Sequence, residues 1–383
     1  MVKLQGRPDA ILLTITTILV IFGVVMVFSA SYYSTISANE GPYSYLVQSV
    51  RWALFGFAVM IAAAFVPVRV YYVLAPLIVL LSVAFLIALF FVGTEINGAT
   101  RWIPFGPLTF MPGEFAKVAV IIGCAWFYSK YASRARTFVH GFLPVIIMAL
   151  VFFYLINKQP NLSTAIIVII TIVAMMFIAG VNIFYIAGAI FCGVMGILYM
   201  IQRSQGYQLS RITGFTDPFS DAQGDFFQTV QGLLALGSGG LTGVGLGNSV
   251  EKALWLPFAQ NDFIFAIIGE ETGFIGCLLL LIGFVLLIWR CMLIAIRSGD
   301  RFPMLLGSGI AMLFAIQVIV NIGVVTAVLP PTGVILPFIS YGGNAIVLFM
   351  FMVGISLSIS RGDGVKVVKE KRKRRIRIEE VAA

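Results

Sequence analysis

Apolar runs of about 20 residues recur along this chain, and they constrain its fold more than any other feature. A run of that length crosses the hydrocarbon of a bilayer as a helix, because a helix bonds every backbone polar group within the segment. Hydrophobic residues make up 60% of the chain and charged residues 11%, and the mean hydropathy is +1.03. These values exclude a soluble globular domain and predict an all-α polytopic membrane protein.

Ten membrane spans can be placed, and their order suggests a single membrane domain. The first run, Ile11–Ala30, is longer than the apolar region of a signal peptide, so we interpret it as a true span. The ten predicted spans cover approximately 11–30, 49–67, 71–93, 114–130, 141–157, 162–180, 183–202, 263–290, 303–328 and 341–360.

Charge asymmetry predicts the orientation of these spans. With the N-terminus inside, lysine and arginine gather in the cytoplasmic segments and acidic residues gather in the outer loops, which is the positive-inside pattern. An even number of spans then places the basic run Lys369–Arg377 inside as well. We expect a membrane domain over residues 1–361 and a basic cytoplasmic tail over 362–383 that meets anionic lipid headgroups rather than nucleic acid.

The cysteines and the single histidine do not indicate a metal or triad enzyme. All four cysteines lie in or beside apolar runs without zinc-ligand spacing, so we expect buried apolar side chains and no disulfides. His140 has no cysteine or histidine nearby in the sequence, which argues against a histidine-based metal site or a Ser–His triad.

One long outer segment, about 203–262, stands out because most connections are short. It contains a glycine-rich stretch over residues 236–247 that no Gly-Lys-Ser/Thr follows, so it is not a phosphate-binding P-loop. Apolar residues alternate with the glycines, and this pattern favours a segment packed against protein over a flexible linker.

The end of this long segment carries an acid, Asp262, where water gives way to hydrocarbon. Two interpretations stay open: an N-cap for the helix that follows, or a general base in a partly desolvated cleft. Glu270 and Glu271 lie about two helical turns further along, where ionisable groups either serve function or pair with a cation.

A second outer loop brings more polar residues to the start of a span. Glu114 and Lys117 are three residues apart and share a helical face, so they form either a local ion pair or, with Arg101, a cationic site for phosphate. Trp102 is placed either at the membrane interface or against a sugar ring.

Polar residues and a proline- and glycine-rich segment also mark the last two spans. Gln317 and Asn321 lie four residues apart within one span, and we expect both to hydrogen-bond between helices. The segment at residues 330–343 is too apolar for an ordinary loop, so we expect it to be packed or re-entrant.

Taken together, these stretches resemble the SEDS family, the FtsW, RodA and SpoVE proteins. The residues that carry the resemblance keep the family order and lie at 97–117, 159–165, 228–252, 256–276 and 317–343. The runs at 209–219 and 261–271 are more similar to the division and sporulation branch, FtsW and SpoVE, than to the elongation branch.

The resemblance implies ten helices and a peptidoglycan glycosyltransferase in the bacterial cytoplasmic membrane, acting at the division septum. It implies polymerisation of lipid II with release of undecaprenyl pyrophosphate, a class B penicillin-binding protein as partner and other divisome proteins nearby. It matches Asp262 to the family's essential aspartate. The candidate substrate-binding residues in the matching stretches are Arg101, Trp102, Glu114, Lys117, Gln228, Gln231, Lys252 and Ser340. No protein-held metal is expected, and the only cofactor considered is a divalent cation, Mg or Mn.

Two other functions fit part of this pattern. A lipid II flippase also needs an amphipathic cavity with cations, but it needs no acid at the outer mouth and the chain shows no internal repeat. A scaffold that only recruits the transpeptidase would leave a buried cation such as Lys117 without a purpose.

Overall fold

The computed structural model describes residues 6–39, 41–96, 99–105, 108–203, 217–224, 226–253 and 255–362. The predicted basic tail and residues 204–216 of the long outer segment lie outside the described residues. The fold is a bundle of helices in which most elements are long and apolar. The helices are α1 Ala10–Ser37, α2 Ser44–Phe65, α3 Val68–Val92, α4 Pro112–Lys130, α5 Leu143–Asn157, α6 Leu162–Ala179, α7 Ile183–Arg203, α8 Phe227–Ser238, α9 Ile264–Arg297, α10 Arg301–Val325 and α11 Gly343–Ser360.

Each of the ten predicted spans coincides with a helix, and the predicted ends differ from the observed ends by at most seven residues. Eight helices of the described residues are long and apolar enough to cross a membrane: α1, α2, α3, α6, α9, α10, α11, and α5 together with the π-helical turn Phe138–Phe142 before it. The other two predicted spans are α4 and α7. The chain is therefore a multi-pass membrane protein, and the all-α prediction is confirmed.

Helix α4 lies inside the bundle, where α3, α6 and α10 pack around it. Most of its residues are buried, and they include two charged side chains in its first two turns. A helix enclosed by other helices can carry polar groups that a lipid-facing helix cannot, because protein groups supply the partners. Helix α4 thus provides the polar interior of the bundle, and α2 and α3 face outward.

A small antiparallel sheet lies between α3 and α4, which the all-helical expectation did not include. Its strands are β1 Thr94–Ile96, β2 Ala99–Phe105 and β3 Leu108–Phe110, in the order β1-β2-β3. Ile96 pairs with Ala99 and Phe105 pairs with Leu108, so each connection contains two residues. Backbone pairing thus joins the described residues of the second outer loop.

The segment before α11 enters the bundle, as predicted for residues 330–343. Phe338 is buried and its ring contacts those of Phe314 in α10 and Phe349 in α11. Gly23, at the middle of α1, faces this segment so closely that a Cβ there would lie 2.2 Å from the Phe338 carbonyl oxygen. The prediction of a packed segment is confirmed.

The two ends of the described chain meet on one side of the bundle. The Asp9 amide donates to the Ser360 hydroxyl at 3.1 Å, and Arg361 donates to the Gly6 carbonyl at 3.2 Å. Arg290, near the end of α9, forms a salt bridge with the Asp9 carboxylate at 2.7 Å. An even number of membrane crossings requires this placement of the two ends.

Candidate active site

Asp262 is half-buried in the turn just before α9. Its carboxylate faces the Pro-rich segment, since a Cβ at Gly333 would lie 3.8 Å from the Asp262 Oδ2. The N-cap position of α9 belongs to Phe263, one residue further on, so Asp262 does not occupy the position that the capping interpretation required. Asp262 is half-buried there, and the general-base interpretation stays a prediction.

Backbone contacts from three parts of the chain fix the turn around Asp262. The Asn321 side-chain amide donates to the Asp262 carbonyl at 2.7 Å, and the Tyr341 amide donates to the Gln260 carbonyl at 2.9 Å. Gln228, on α8, donates to the Pro257 carbonyl at 2.9 Å. The turn is therefore held by α8, by α10 and by the segment just before α11, although it is far from them in sequence.

The other predicted residues near this turn have structural contacts of their own. The Ser340 hydroxyl is buried and accepts a hydrogen bond from the Leu336 amide at 2.8 Å, which closes a turn in the re-entrant segment. Gln231 is half-buried on α8, one turn after Gln228. Gln228 and Ser340 thus belong to the elements that hold the Asp262 turn.

Helix α9 is broken at Gly273, and the glycine-rich stretch packs into the break. Gly273 has φ 66° and ψ −168°, so the helical hydrogen bonds across it are lost. The Val244 and Gly245 amides donate to the carbonyls of residues 270 and 271, and the Phe274 and Ile275 amides donate to the carbonyls of residues 240 and 241. The predicted packing of this stretch against protein is confirmed.

The two glutamates before the break hold the loop that follows the glycine-rich stretch. Glu271 forms a salt bridge with Lys252 at 2.6 Å, and both side chains are almost fully buried. The Ser29 hydroxyl of α1 donates to the same carboxylate at 2.6 Å. Glu270 accepts from the Ser249 hydroxyl and from the backbone amide of the next residue. Of the two interpretations left open by the sequence, pairing with a cation fits Glu271, whose partner Lys252 lies on this loop.

Glu114 and Lys117 form a buried ion pair at the start of α4. Their side-chain atoms lie 2.7 Å apart, with 8% and 3% of the side chains exposed, respectively. The Lys117 ammonium also lies 5.8 Å from the ring centroid of Phe349 in α11. Because an unpaired ammonium is costly at this depth, the pair neutralises a charge that the bundle cannot solvate.

Arg101 and Trp102 are neighbours on β2, and both are half-buried. The Arg101 guanidinium donates to the carbonyl of Pro160, in the turn between α5 and α6. The Thr94 hydroxyl of β1 donates to the Trp102 carbonyl at 3.2 Å. Because successive side chains of a strand point to opposite faces, the sheet places this cation and this indole on its two faces, near the start of α4.

The predicted residues fall into three groups. The first group is Asp262 with Gln228 and Gln231 of α8 and with Ser340 in the segment before α11. The second group lies on the sheet and at the start of α4, and it contains Arg101, Trp102, Glu114 and Lys117. The third is Lys252 with Glu271. Helix α10 connects the first two groups, because it packs against α4 and also carries Asn321.

Sequence reasoning missed some partners and was wrong about two interhelical hydrogen bonds, those of Gln317 and Asn321. Gln317 is fully buried and neither polar atom of its amide has a hydrogen-bond partner among the described residues, so the expected interhelical bond is wrong. Asn321 bonds backbone carbonyls rather than another helix. Ser29 and Ser249 were not singled out, and their sequence surroundings gave no signal for their pairing with Glu271 and Glu270.

The described side chains alone do not form a binding site for a divalent cation. Nowhere in the described residues do three histidine, cysteine, aspartate or glutamate side chains come together as a metal site. Magnesium is commonly held by one or two carboxylates with substrate phosphates, so such an ion would depend on the substrate for most of its ligands.

Comparison with known proteins identifies the family. The family model described as "Cell cycle protein", which covers FtsW, RodA and SpoVE, matches residues 9–363. The chain belongs to this family. It is 38% identical to a protein of Geobacter sp. (strain M18) named "Probable peptidoglycan glycosyltransferase FtsW", over 89% of this chain and 93% of the relative. It is 36% identical to Stage V sporulation protein E of Bacillus subtilis (strain 168), over 90% of this chain and 95% of the relative.

Solved structures of the family share this fold. A chain from the work "Structural coordination of polymerization and crosslinking by a peptidoglycan synthase complex" matches with a TM-score of 0.77 and 26% identity, covering 93% of this chain and 98% of that chain. The Thermus thermophilus Rod shape determining protein RodA matches with a TM-score of 0.68 and 25% identity, covering 92% of this chain and 97% of that chain.

Proposed function

We propose that this chain is a peptidoglycan glycosyltransferase that polymerises lipid II, with Asp262 as the general base. Family membership and the relative named as a peptidoglycan glycosyltransferase support the reaction. The observation that carries the role of Asp262 is its position: a half-buried carboxylate in a turn whose backbone α10 holds through Asn321. A base must be held within hydrogen-bond reach of the proton that it removes, and a fixed turn provides that.

The proposed step is an inverting displacement. The 4-hydroxyl of the acceptor N-acetylglucosamine attacks the anomeric carbon of the lipid-linked donor, and its proton passes to the Asp262 carboxylate. A new carbon–oxygen bond forms as the bond to the pyrophosphate oxygen breaks. Undecaprenyl pyrophosphate leaves with the electron pair. Inversion of an α-linked donor into a β-linked glycan needs one base and no covalent enzyme intermediate.

The negative charge of the leaving group needs a cation, and Arg101 is the better placed of the two candidates. It is half-buried at the outer end of α4, and its planar guanidinium suits a pyrophosphate. Lys117 already has a carboxylate partner, Glu114, so it contributes to a cationic site only if that ion pair opens. No step of this proposal passes through a metal ion.

The orientation and partner belong to the same proposal. The described ends of the chain lie together, and the basic run that follows favours the cytoplasm for both. Asp262 then lies at the outer face, where the sugar of lipid II is presented. Similarity to a chain of a peptidoglycan synthase complex supports a class B penicillin-binding protein as partner. Similarity to FtsW and SpoVE supports work at the division septum with other divisome proteins.

Asp262→Asn tests this function directly. The variant keeps the size of the side chain and removes the base, so polymerisation by purified protein with its transpeptidase and labelled lipid II should be abolished. Glu251→Gln is the matched control, because Glu251 is another half-buried acid of the same outer segment, and it should retain glycan synthesis.

The same assay separates the other functions. Glycan ladders that persist in folded Asp262→Asn protein would exclude this residue as the base. Translocation of labelled lipid II across vesicles without any ladder from the wild-type protein would indicate a flippase. A wild-type protein that binds the transpeptidase but does neither would be a scaffold.

A further inference from the structure

Asn321 lies at the centre of the contacts that fix the Asp262 turn. It is 1% exposed in the last two turns of α10. Its Nδ2 donates to two backbone carbonyls, those of Asp262 and Val334, each at 2.7 Å. A buried amide is costly unless it is bonded, and here both of its N–H groups are used on segments that flank the proposed base.

The two carbonyls belong to the two chain segments that meet at the Asp262 carboxylate. One is the carbonyl of Asp262 itself, which sets the position of its Cα. The other belongs to Val334, directly after Gly333, which faces the Asp262 Oδ2. Asn321 therefore fixes both the backbone that carries the carboxylate and the backbone that the carboxylate faces.

We infer that Asn321 is a positioning residue that holds the Asp262 carboxylate at the distance needed for proton removal. This inference rests on the proposed function, in which Asp262 is the base. A misplacement of about 1 Å costs about 100-fold in rate. Loss of this double hydrogen bond should therefore lower kcat, while KM should change much less. Only a side chain with two N–H groups on one nitrogen can serve both carbonyls from this position.

A purely structural role for Asn321 makes a different prediction, and the same helix provides a control. Gln317 lies one turn earlier, is 0% exposed, and has no hydrogen-bond partner among the described residues. Gln317→Leu removes a buried amide of α10 without touching the Asp262 turn. It should leave kcat and KM unchanged, because an apolar side chain replaces an amide that forms no hydrogen bond among the described residues.

The experiment compares Asn321→Leu with Gln317→Leu in purified protein with its transpeptidase and labelled lipid II. For Asn321→Leu we expect kcat to fall about 10- to 100-fold, with KM within about 2-fold of wild type. The same change is then made in an Asp262→Glu background, where the base already sits on a longer, misplaced arm. In that background, removing Asn321 should lower kcat by a factor at most a third of that seen in wild type, because both changes displace the same carboxylate.

The outcomes separate this inference from the proposed function. An unchanged kcat in Asn321→Leu, or an equal loss in the wild-type and Asp262→Glu backgrounds, would overturn the positioning role. If Asn321→Leu does not fold, Asn321→Ser replaces it, since a hydroxyl keeps one donor, and the same comparison of backgrounds decides. A wild-type protein that makes no glycan overturns the proposed function instead, before any Asn321 variant is considered.

Discussion

Lys252 was predicted to bind substrate, but its surroundings favour a structural role that a single substitution can test. Its ammonium lies 2.6 Å from the Glu271 carboxylate and 2.9 Å from the Ser29 hydroxyl. The exposed fractions of the two charged side chains are 2% and 0%. Lys252→Met removes the cation and leaves the buried Glu271 carboxylate with only Ser29 as a described partner. Breaking one side of a buried pair costs about 3–5 kcal/mol of unfolding free energy.

The loss of unfolding free energy can be measured by thermal unfolding in detergent. Since 1 kcal/mol corresponds to about 2–4 °C in a chain of 150–250 residues, we expect Tm to fall by about 5 °C or more in this longer chain. The double variant Lys252→Met/Glu271→Met removes both charges together. It should recover most of the loss, because a buried ion pair contributes little more than apolar side chains of similar volume.

Lys158→Met is the control, because Lys158 is exposed and its ammonium lies over the Tyr154 ring. It should change the unfolding free energy by less than about 0.5–1 kcal/mol. An unchanged Tm in Lys252→Met, together with a raised KM for lipid II, would refute the ion-pair argument. That result would return Lys252 to the substrate-binding residues expected from sequence.

Two further predictions concern the glycine-rich stretch and the meeting of the chain ends. Gly243 and Gly247 have similar positive φ values, 79° and 83°, but a Cβ at Gly243 would lie 2.2 Å from a carbonyl oxygen of α9 and a Cβ at Gly247 would meet nothing within 4 Å. Gly243→Ala should therefore lower Tm well beyond the roughly 1 kcal/mol of backbone strain that Gly247→Ala causes, and equal shifts would contradict the close packing. Burial alone raises the pKa of Asp9, but hydrogen bonds from Arg290 and the α1 backbone outweigh it, and the pKa lies below its ordinary value. Asp9→Asn should thus cost about 1–2 kcal/mol at neutral pH. In a pH series of Tm values, the gap to wild type should shrink as the pH falls through the lowered pKa of Asp9; a gap that is independent of pH would exclude the charge as its cause.

The spans could be predicted because hydrocarbon thickness imposes a minimum length on apolar runs. Their ends could not, since a helix continues past the membrane wherever polar residues permit, as α9 does up to Arg297. The sheet was missed although its signal was present. Asn97-Gly98, a dipeptide typical of two-residue hairpins, lies between the residues that pair as Ile96 and Ala99.

The position of Asp262 was predictable, but the contacts that hold it were not. Asn321 and Asp262 are 59 residues apart, and only the packing of α10 beside the turn brings them together. The pairing of Lys252 with Glu271 depends on the break at Gly273, which turns the first part of α9 against the preceding loop. A single sequence contains the polar residues of such a site, but not the chain path that selects their partners.

The break at Gly273 also explains why the helix directly after Asp262 is enclosed by protein. An unbroken α9 of 34 residues would be about 51 Å long, well over the roughly 30 Å of bilayer hydrocarbon. Burial changes sharply at the break: every residue of 264–271 is buried, whereas Phe274 and Ile275 are exposed. The short helix before the break is therefore enclosed by the bundle, and the glycine-rich stretch satisfies the backbone groups that the break frees. Because the proposed base precedes this enclosed helix, its position is set by packed protein, and the exposed apolar side chains of α9 begin only after Gly273.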